Sequence, residues 1–193
     1  ENKVKLIINI SSLEVYGDIK KKLVDENYQP QNPNTYGLIK FLSEKYLYEQ
    51  KINFINIRIP GVLCEGRKNQ LERPWLNVVF NKMQKNKSIF VHNVESRFNS
   101  VINTEELAKF TNFLIKKKII IRDTFNFVCK KPLIMREILN KAKKKLNSKS
   151  KIIEIKNHNK NSFYMSTKKL EHQLNFKPQT TKKVIEKHLE NFI

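Results

Sequence analysis

Glycine is scarce in this chain: four of 193 residues, at positions 17, 37, 61 and 66. They compose no Gly-x-Gly-x-x-Gly run, so the turn that lets a backbone close on a pyrophosphate at a helix N-terminus is missing. Cysteine is scarcer still. Cys64 and Cys129 share no metal-type or redox-type spacing, which excludes a disulfide framework and a zinc knuckle and fits reduced thiols in a cytoplasmic protein. His92, His158, His172 and His188 form no ligand spacing either, so no metal is expected. No stretch approaches the roughly 18 consecutive apolar residues of a membrane helix. Glu1-Asn2-Lys3 leads straight into a strand-like run, so no secretory signal is expected. Acidic residues are outnumbered, 18 against 38 basic, for a formal net charge of +20. Such a surplus raises nucleic-acid binding as a rival class. The triplets Lys20–Lys22, Lys116–Lys118 and Lys143–Lys145 are short and far apart, however, and no aromatic-rich strand motif accompanies them. The reading is a solvated, lysine-biased surface whose field gathers phosphate-bearing ligands, not a nucleic-acid face.

What is present is concentrated between residues 6 and 47. Leu6-Ile7-Ile8-Asn9-Ile10 runs into Ser11-Ser12-Leu13-Glu14-Val15-Tyr16-Gly17, as a buried parallel strand delivers a loop at its carboxyl end. After Asn34 the pattern turns helical, with Leu38, Phe41, Leu42, Tyr46 and Leu47 at three- and four-residue steps. Tyr36 and Lys40 are four apart and lie on one face of that helix. A free phenol has a pKa near 10 and is a poor base at neutral pH. A nearby ammonium favours the phenolate, which can then take a proton from a substrate hydroxyl. A serine at the strand end, Ser12, can bond the same hydroxyl.

The ordered set of strand, Ser-Ser-x-x-Val-Tyr-Gly, a loop with Glu26 and Pro30, and Tyr36-Gly37-x-x-Lys40-x-x-x-Glu44 resembles the extended short-chain dehydrogenase/reductase family, specifically its NAD-dependent nucleotide-sugar epimerases and dehydratases. The resemblance runs from residue 4 to the end, specific over the first 66 residues and looser beyond. It implies an α/β fold: the second half of a Rossmann-like doubly wound parallel sheet plus a small α+β substrate-binding region. Residues 1–66 would be the catalytic half of the cofactor domain. Residues 67–193 would mainly bind nucleotide sugar, with 100–129 returning to the Rossmann core. Compared with the family, the glycine-rich first half is missing, leaving two alternatives: part of a longer active enzyme, or a truncated, catalytically silent relative.

The resemblance also implies roles. Tyr36 is the acid/base, Lys40 lowers its pKa and bonds the cofactor ribose, and Ser12 relays the proton. Ser11, Pro60, Gly61 and Val62 border the cofactor, NAD or NADP; Gly61 replaces the usual Asn of the turn after Arg58, and Cys64 a Gly. A nucleotide-diphosphate sugar would meet Glu14, Asn77, Arg97, Asn99 and Lys160. Asn99 stands at the family's diphosphate-gripping arginine, leaving either Arg97 or Asn99 with a lysine to hold phosphate. The 4,6-dehydratases carry Thr-Asp-Glu where this chain has Ser12-Leu13-Glu14. Leu13 cannot expel water as an acid, which points to epimerisation or reduction at a sugar C4. The family also implies a homodimer through the Tyr/Lys helix.

Overall fold

The computed structural model describes residues 4–64, 74–155 and 162–190. Gly66 and Lys160 lie outside the described residues. The organising element is a sheet in the order β1 (Ile7–Ser12), β3 (Phe54–Ile59), β8 (Arg122–Asn126), all parallel. Between β1 and β3 the chain makes a 3-10 turn at Leu13–Tyr16, the two-residue β2 (Leu23–Val24) and helix α1 (Thr35–Glu49). Gly17 ends the 3-10 turn at φ 62°, a left-handed conformation with no steric cost for glycine.

The strands alternate by face, as a pleated strand must. On β3, Ile55 and Ile57 pack with Phe125 of β8 and with Phe110 and Leu114 of α3 (Thr104–Lys116). Helix α5 (Lys168–Leu174) closes the same face with Leu170 and Leu174. Phe54, Asn56 and Arg58 point the other way. Phe54 meets the Tyr48 ring of α1 edge-on at 4.7 Å, and Arg58 pairs with Glu44.

A second core lies between α2 (Trp75–Gln84), α4 (Met135–Lys145) and α6 (Thr181–Glu190). It is closed by β5 (Ile89–His92), which pairs in parallel with β10 (Ile152–Ile155). Phe80, Met83, Ile138, Leu139 and Ile185 are fully buried there. Short ladders tie the two cores. β4 (Gly61–Leu63) runs parallel to β7 (Val101–Asn103), β6 (Arg97–Phe98) antiparallel to β9 (Leu133–Ile134), and β11 (Tyr164–Met165) parallel to β2.

Two expectations change. The Pro60-Gly61-Val62 turn is instead a strand, because Gly61–Leu63 pair in register with Val101–Asn103. The helical stripe of Leu38, Leu42 and Tyr46 is not what α1 buries: these side chains are 44%, 57% and 62% exposed, while Gly37, Glu44 and Leu47 face inward. The sheet face beneath α1 carries polar residues, and the helix turns Lys40 and Glu44 towards it.

Candidate active site

The first turn of α1 is seated on the exit of β1. Asn34 caps the helix by accepting from Gly37 N at 2.8 Å, and its amide donates to Glu14 Oε2 at 2.8 Å. A Cβ at Gly37 would collide with the Glu14 carbonyl, so only glycine permits this approach. Ser12 accepts from Glu14 N at 3.2 Å and caps the 3-10 turn. One helical turn beyond Tyr36, Lys40 Nζ donates to Ile10 O at 2.8 Å and lies 5.7 Å from the Tyr36 ring centroid. The Tyr36 side chain is 53% exposed. Ser12, Glu14, Tyr36 and Lys40 are thus assembled around one strand end. Pro60 adjoins it, following Ile59, the register partner of Ser12.

Below this lies a buried polar network that spacing alone did not disclose. Arg58 donates to both Glu44 oxygens, Nε to Oε1 at 3.0 Å and Nη2 to Oε2 at 2.6 Å. Ser11 donates to the same carboxylate, which takes up the hydroxyl proton of this expected cofactor neighbour. The guanidinium lies 4.7 Å from the Tyr16 ring centroid. Burial opposes its charge, but bonding to Glu44 outweighs that and holds its pKa above the ordinary value. Tyr16 Oη donates to Asn126 Oδ1 at 2.7 Å, and burial pushes its pKa up to about 12. Glu26 accepts from Asn126 N at 2.8 Å, and burial raises its pKa. An arginine inside an apolar strand, Ile57-Arg58-Ile59, is the signal for this pair, since a buried charge requires a partner.

Of the expected sugar-nucleotide residues, Glu14 stands at this strand end, while Asn77, Arg97 and Asn99 find their partners on other elements. Asn77 is buried with its carbonyl 2.8 Å from His188 Nε2 of α6. Asn99 is a correction: its amide donates to Cys129 O and Met165 O, and its carbonyl accepts from Met165 N, all at 2.8–2.9 Å. Those bonds to buried backbone stitch three segments together and leave the side chain no hold on phosphate. Arg97 is exposed, with its guanidinium 5.7 Å from the Tyr164 ring centroid. Glu14, though solvent-facing, is engaged by Asn34. Among the described residues no cluster of His, Cys, Asp or Glu could hold a metal, and no helix is long and apolar enough to cross a membrane.

Comparison with solved structures bears on the fold. The chain superimposes on the Bordetella bronchiseptica enzyme WbmG in complex with NAD and UDP (TM-score 0.79, 12% identity, 98% of this chain and 60% of that one). It matches UDP-glucose 4-epimerase from Thermotoga maritima with UDP-glucose (0.77, 16%, 98% and 63%). It also matches UDP-glucuronic acid 4-epimerase from Bacillus cereus with UDP-glucuronic acid and NAD (0.77, 16%, 99% and 62%). The fold is that of the NAD-dependent nucleotide-sugar epimerases. The chain spans about three fifths of the length of these proteins. No protein-family model matches the sequence, and no curated protein matches it.

Proposed function

We propose that this chain carries the proton-transfer and substrate-binding part of an NAD(P)-dependent nucleotide-sugar epimerase or reductase acting at a sugar C4. The observation that carries the reading is the seating of α1: a half-exposed phenol with an ammonium one turn along, docked through Gly37 and Asn34 onto the loop that holds Ser12.

The chain's residues fit one end of a nicotinamide dinucleotide. Tyr36 and Lys40 stand at the carboxyl end of a parallel sheet, where α/β folds bind nucleotides, and an ammonium suits a ribose diol. The pyrophosphate end has no glycine-rich turn in these 193 residues, so tight cofactor binding requires the part of the fold that this chain does not contain. When bound, the nicotinamide supplies the hydride acceptor and donor. Tyr36, as phenolate, accepts the proton of the sugar hydroxyl while hydride leaves the same carbon, and returns it when hydride comes back. Lys40 favours the phenolate electrostatically. Ser12 holds the hydroxyl in line. Leu13 supplies no acid for water loss, which favours epimerisation or simple reduction over dehydration. Arg97, exposed and stacked on Tyr164, is the candidate for the nucleotide diphosphate, a task suited to a guanidinium. Uridine nucleotides in the matched structures support a uridine diphosphate sugar as the substrate class.

The test is conversion of UDP-sugars by the polypeptide completed with its glycine-rich half, followed by NMR of the C4 centre. Tyr36→Phe is expected to lower kcat by about 10²–10⁴-fold while UDP affinity is retained. Release of a 4-keto-6-deoxy sugar nucleotide, or an undiminished Tyr36→Phe variant, would refute the assignment.

A further inference from the structure

The three strands of the main sheet run parallel, so their entries all fall on one edge, opposite the edge that carries Tyr36. Five residue steps from Ile7 to Ser12 put about 17 Å between the two edges. Each entry is preceded by lysine. Lys5 stands two residues before β1, Lys51 three before β3, and Lys116–Lys118 close α3 ahead of β8, whose first residue is Arg122. Backbone bonds draw the entries together: Ile7 N donates to Asn53 O and Phe54 N to Ile121 O, each at 3.0 Å. All six cationic residues are exposed, and none is in an ion pair among the described residues. Against them stand Glu49, exposed at the end of α1, and Asp123, which is already paired with Lys169. The triplet that looked isolated in the sequence is thus joined by three more cations. Two isoleucines stand out of the same edge. Ile119 and Ile121 pack against the core beneath α3, while Ile120 between them is 58% exposed and Ile115, on the last turn of α3, 64%. The turn also keeps a cation where the backbone disfavours one. Asn86, Asn147 and Asn175 close α2, α4 and α5 in the left-handed conformation, which asparagine tolerates; after α3 the same conformation is held by Lys118, at φ 50°.

We propose that this edge docks on an anionic lipid bilayer, with the lysines over the headgroups and Ile115 and Ile120 in the interface. Charge complementarity and the kind of apolar group select this partner. Lysine neutralises phosphate as a point charge without a fixed geometry, as a fluid headgroup layer requires, and its long stem carries the ammonium past an apolar neighbour. Aliphatic tips suit the boundary between headgroups and acyl chains. Single-stranded nucleic acid is instead held on aromatic platforms, and Tyr48, the aromatic residue at this end of α1, turns its hydroxyl to Thr124 Oγ1. Docking here leaves the carboxyl edge of the sheet facing away from the bilayer. The proposal stands whether or not Tyr36 is catalytic.

The experiment is co-sedimentation of the 193-residue chain with vesicles of phosphatidylglycerol and phosphatidylcholine in equal parts, and with phosphatidylcholine alone. Binding is expected to the first only. It should be lost between about 0.1 M and about 1 M salt, as the Debye length falls from about 10 Å to about 3 Å. A lysine at an anionic surface is worth about fivefold in affinity, so Lys116→Ser/Lys117→Ser/Lys118→Asn should weaken binding about 100-fold. Lys143→Ser/Lys144→Ser/Lys145→Ser on α4 removes the same charge from the second core and should leave binding within about twofold. Lys118→Asn alone should raise the unfolding midpoint yet weaken binding about fivefold, which separates docking from folding. Four results overturn the proposal: no binding to either vesicle; equal binding to both; equal weakening by the two triplets, which would trace binding to net charge; or tighter binding to single-stranded RNA through Lys116–Lys118, which would make nucleic acid the partner.

Discussion

The two faces of the β1–β3–β8 sheet are cut from the same three strands and held by opposite physics. Beneath α3 and α5, Ile55, Ile57 and Phe125 meet Phe110, and the Phe110 and Phe127 rings stack 4.5 Å apart. That face is held by burial and close packing, which is strong and non-directional. Beneath α1 the register aligns two polar rungs, Asn9–Asn56–Thr124 and Ser11–Arg58–Asn126. Asn9 Nδ2 donates to Asn56 Oδ1 at 2.9 Å, and Asn56 Nδ2 to Thr124 Oγ1 at 3.0 Å. Lys40 and Glu44 carry α1 onto this ladder. Directional bonds fix a helix in rotation and height as apolar contact does not, and a helix bearing an acid/base pair needs that definition. The difference also explains why Leu38, Leu42 and Tyr46 of α1 are turned outward.

The largest effects separate the faces. Phe127→Ala should cost about 3–5 kcal/mol through its cavity, and Arg58→Ala a similar amount by leaving the Glu44 carboxylate buried and unpaired. Denaturant unfolding of Glu44→Leu/Arg58→Met should recover most of the second loss, because a well-packed apolar pair replaces a buried ion pair at little cost. Failure to recover would mean that the polar face is needed for folding itself. Next, Gly37→Ala should cost about 1–3 kcal/mol by overpacking, with amide shift changes concentrated at Ser12–Glu14 and Asn34–Lys40. Shifts spread over the α3 side would contradict the independence of the faces.

A pH dependence follows from Tyr16. Its folded pKa, about 12, lies above the ordinary 10, so the folded state holds the proton more tightly. Its contribution is complete below pH 10 and is lost as pH rises towards 12, about 3 kcal/mol for two units. Tyr16→Phe should flatten that alkaline decline in unfolding free energy. The smallest effect belongs to Glu105 on α3, which hydrogen bonds from Lys109 and Lys187 hold at a pKa of about 2. A depressed carboxyl stabilises above its ordinary pKa of 4.5 and loses that as pH falls to about 2. Glu105→Gln should therefore slightly shallow the acid limb of stability and leave the alkaline limb unchanged.

Much of the local structure was legible in the residues. Strand periodicity marked β1 and β3, and the Asn34 cap opened α1 one residue before Tyr36. The shared helix face of Tyr36 and Lys40 and the place of Ser12 at a strand end could be read from spacing, because strand end and helix start are fixed by short-range rules. The sugar-nucleotide residues were not legible in the same way. Asn99 stands at a phosphate-gripping position by count, yet bonds to Cys129 and Met165 decide its role. Those partners lie 30 and 66 residues away.

By itself, then, the sequence determined the strand–loop–helix order, the shared face of Tyr36 and Lys40, the missing glycine-rich turn and the basic surface, since each follows from composition or from periods of two and 3.6 residues. Only the tertiary structure decided which face of α1 turns inward, that Arg58 is neutralised by Glu44, and that Gly61 to Leu63 forms a second ladder. Those outcomes depend on which strands become neighbours, and a polar rung exists only once three distant segments lie in register.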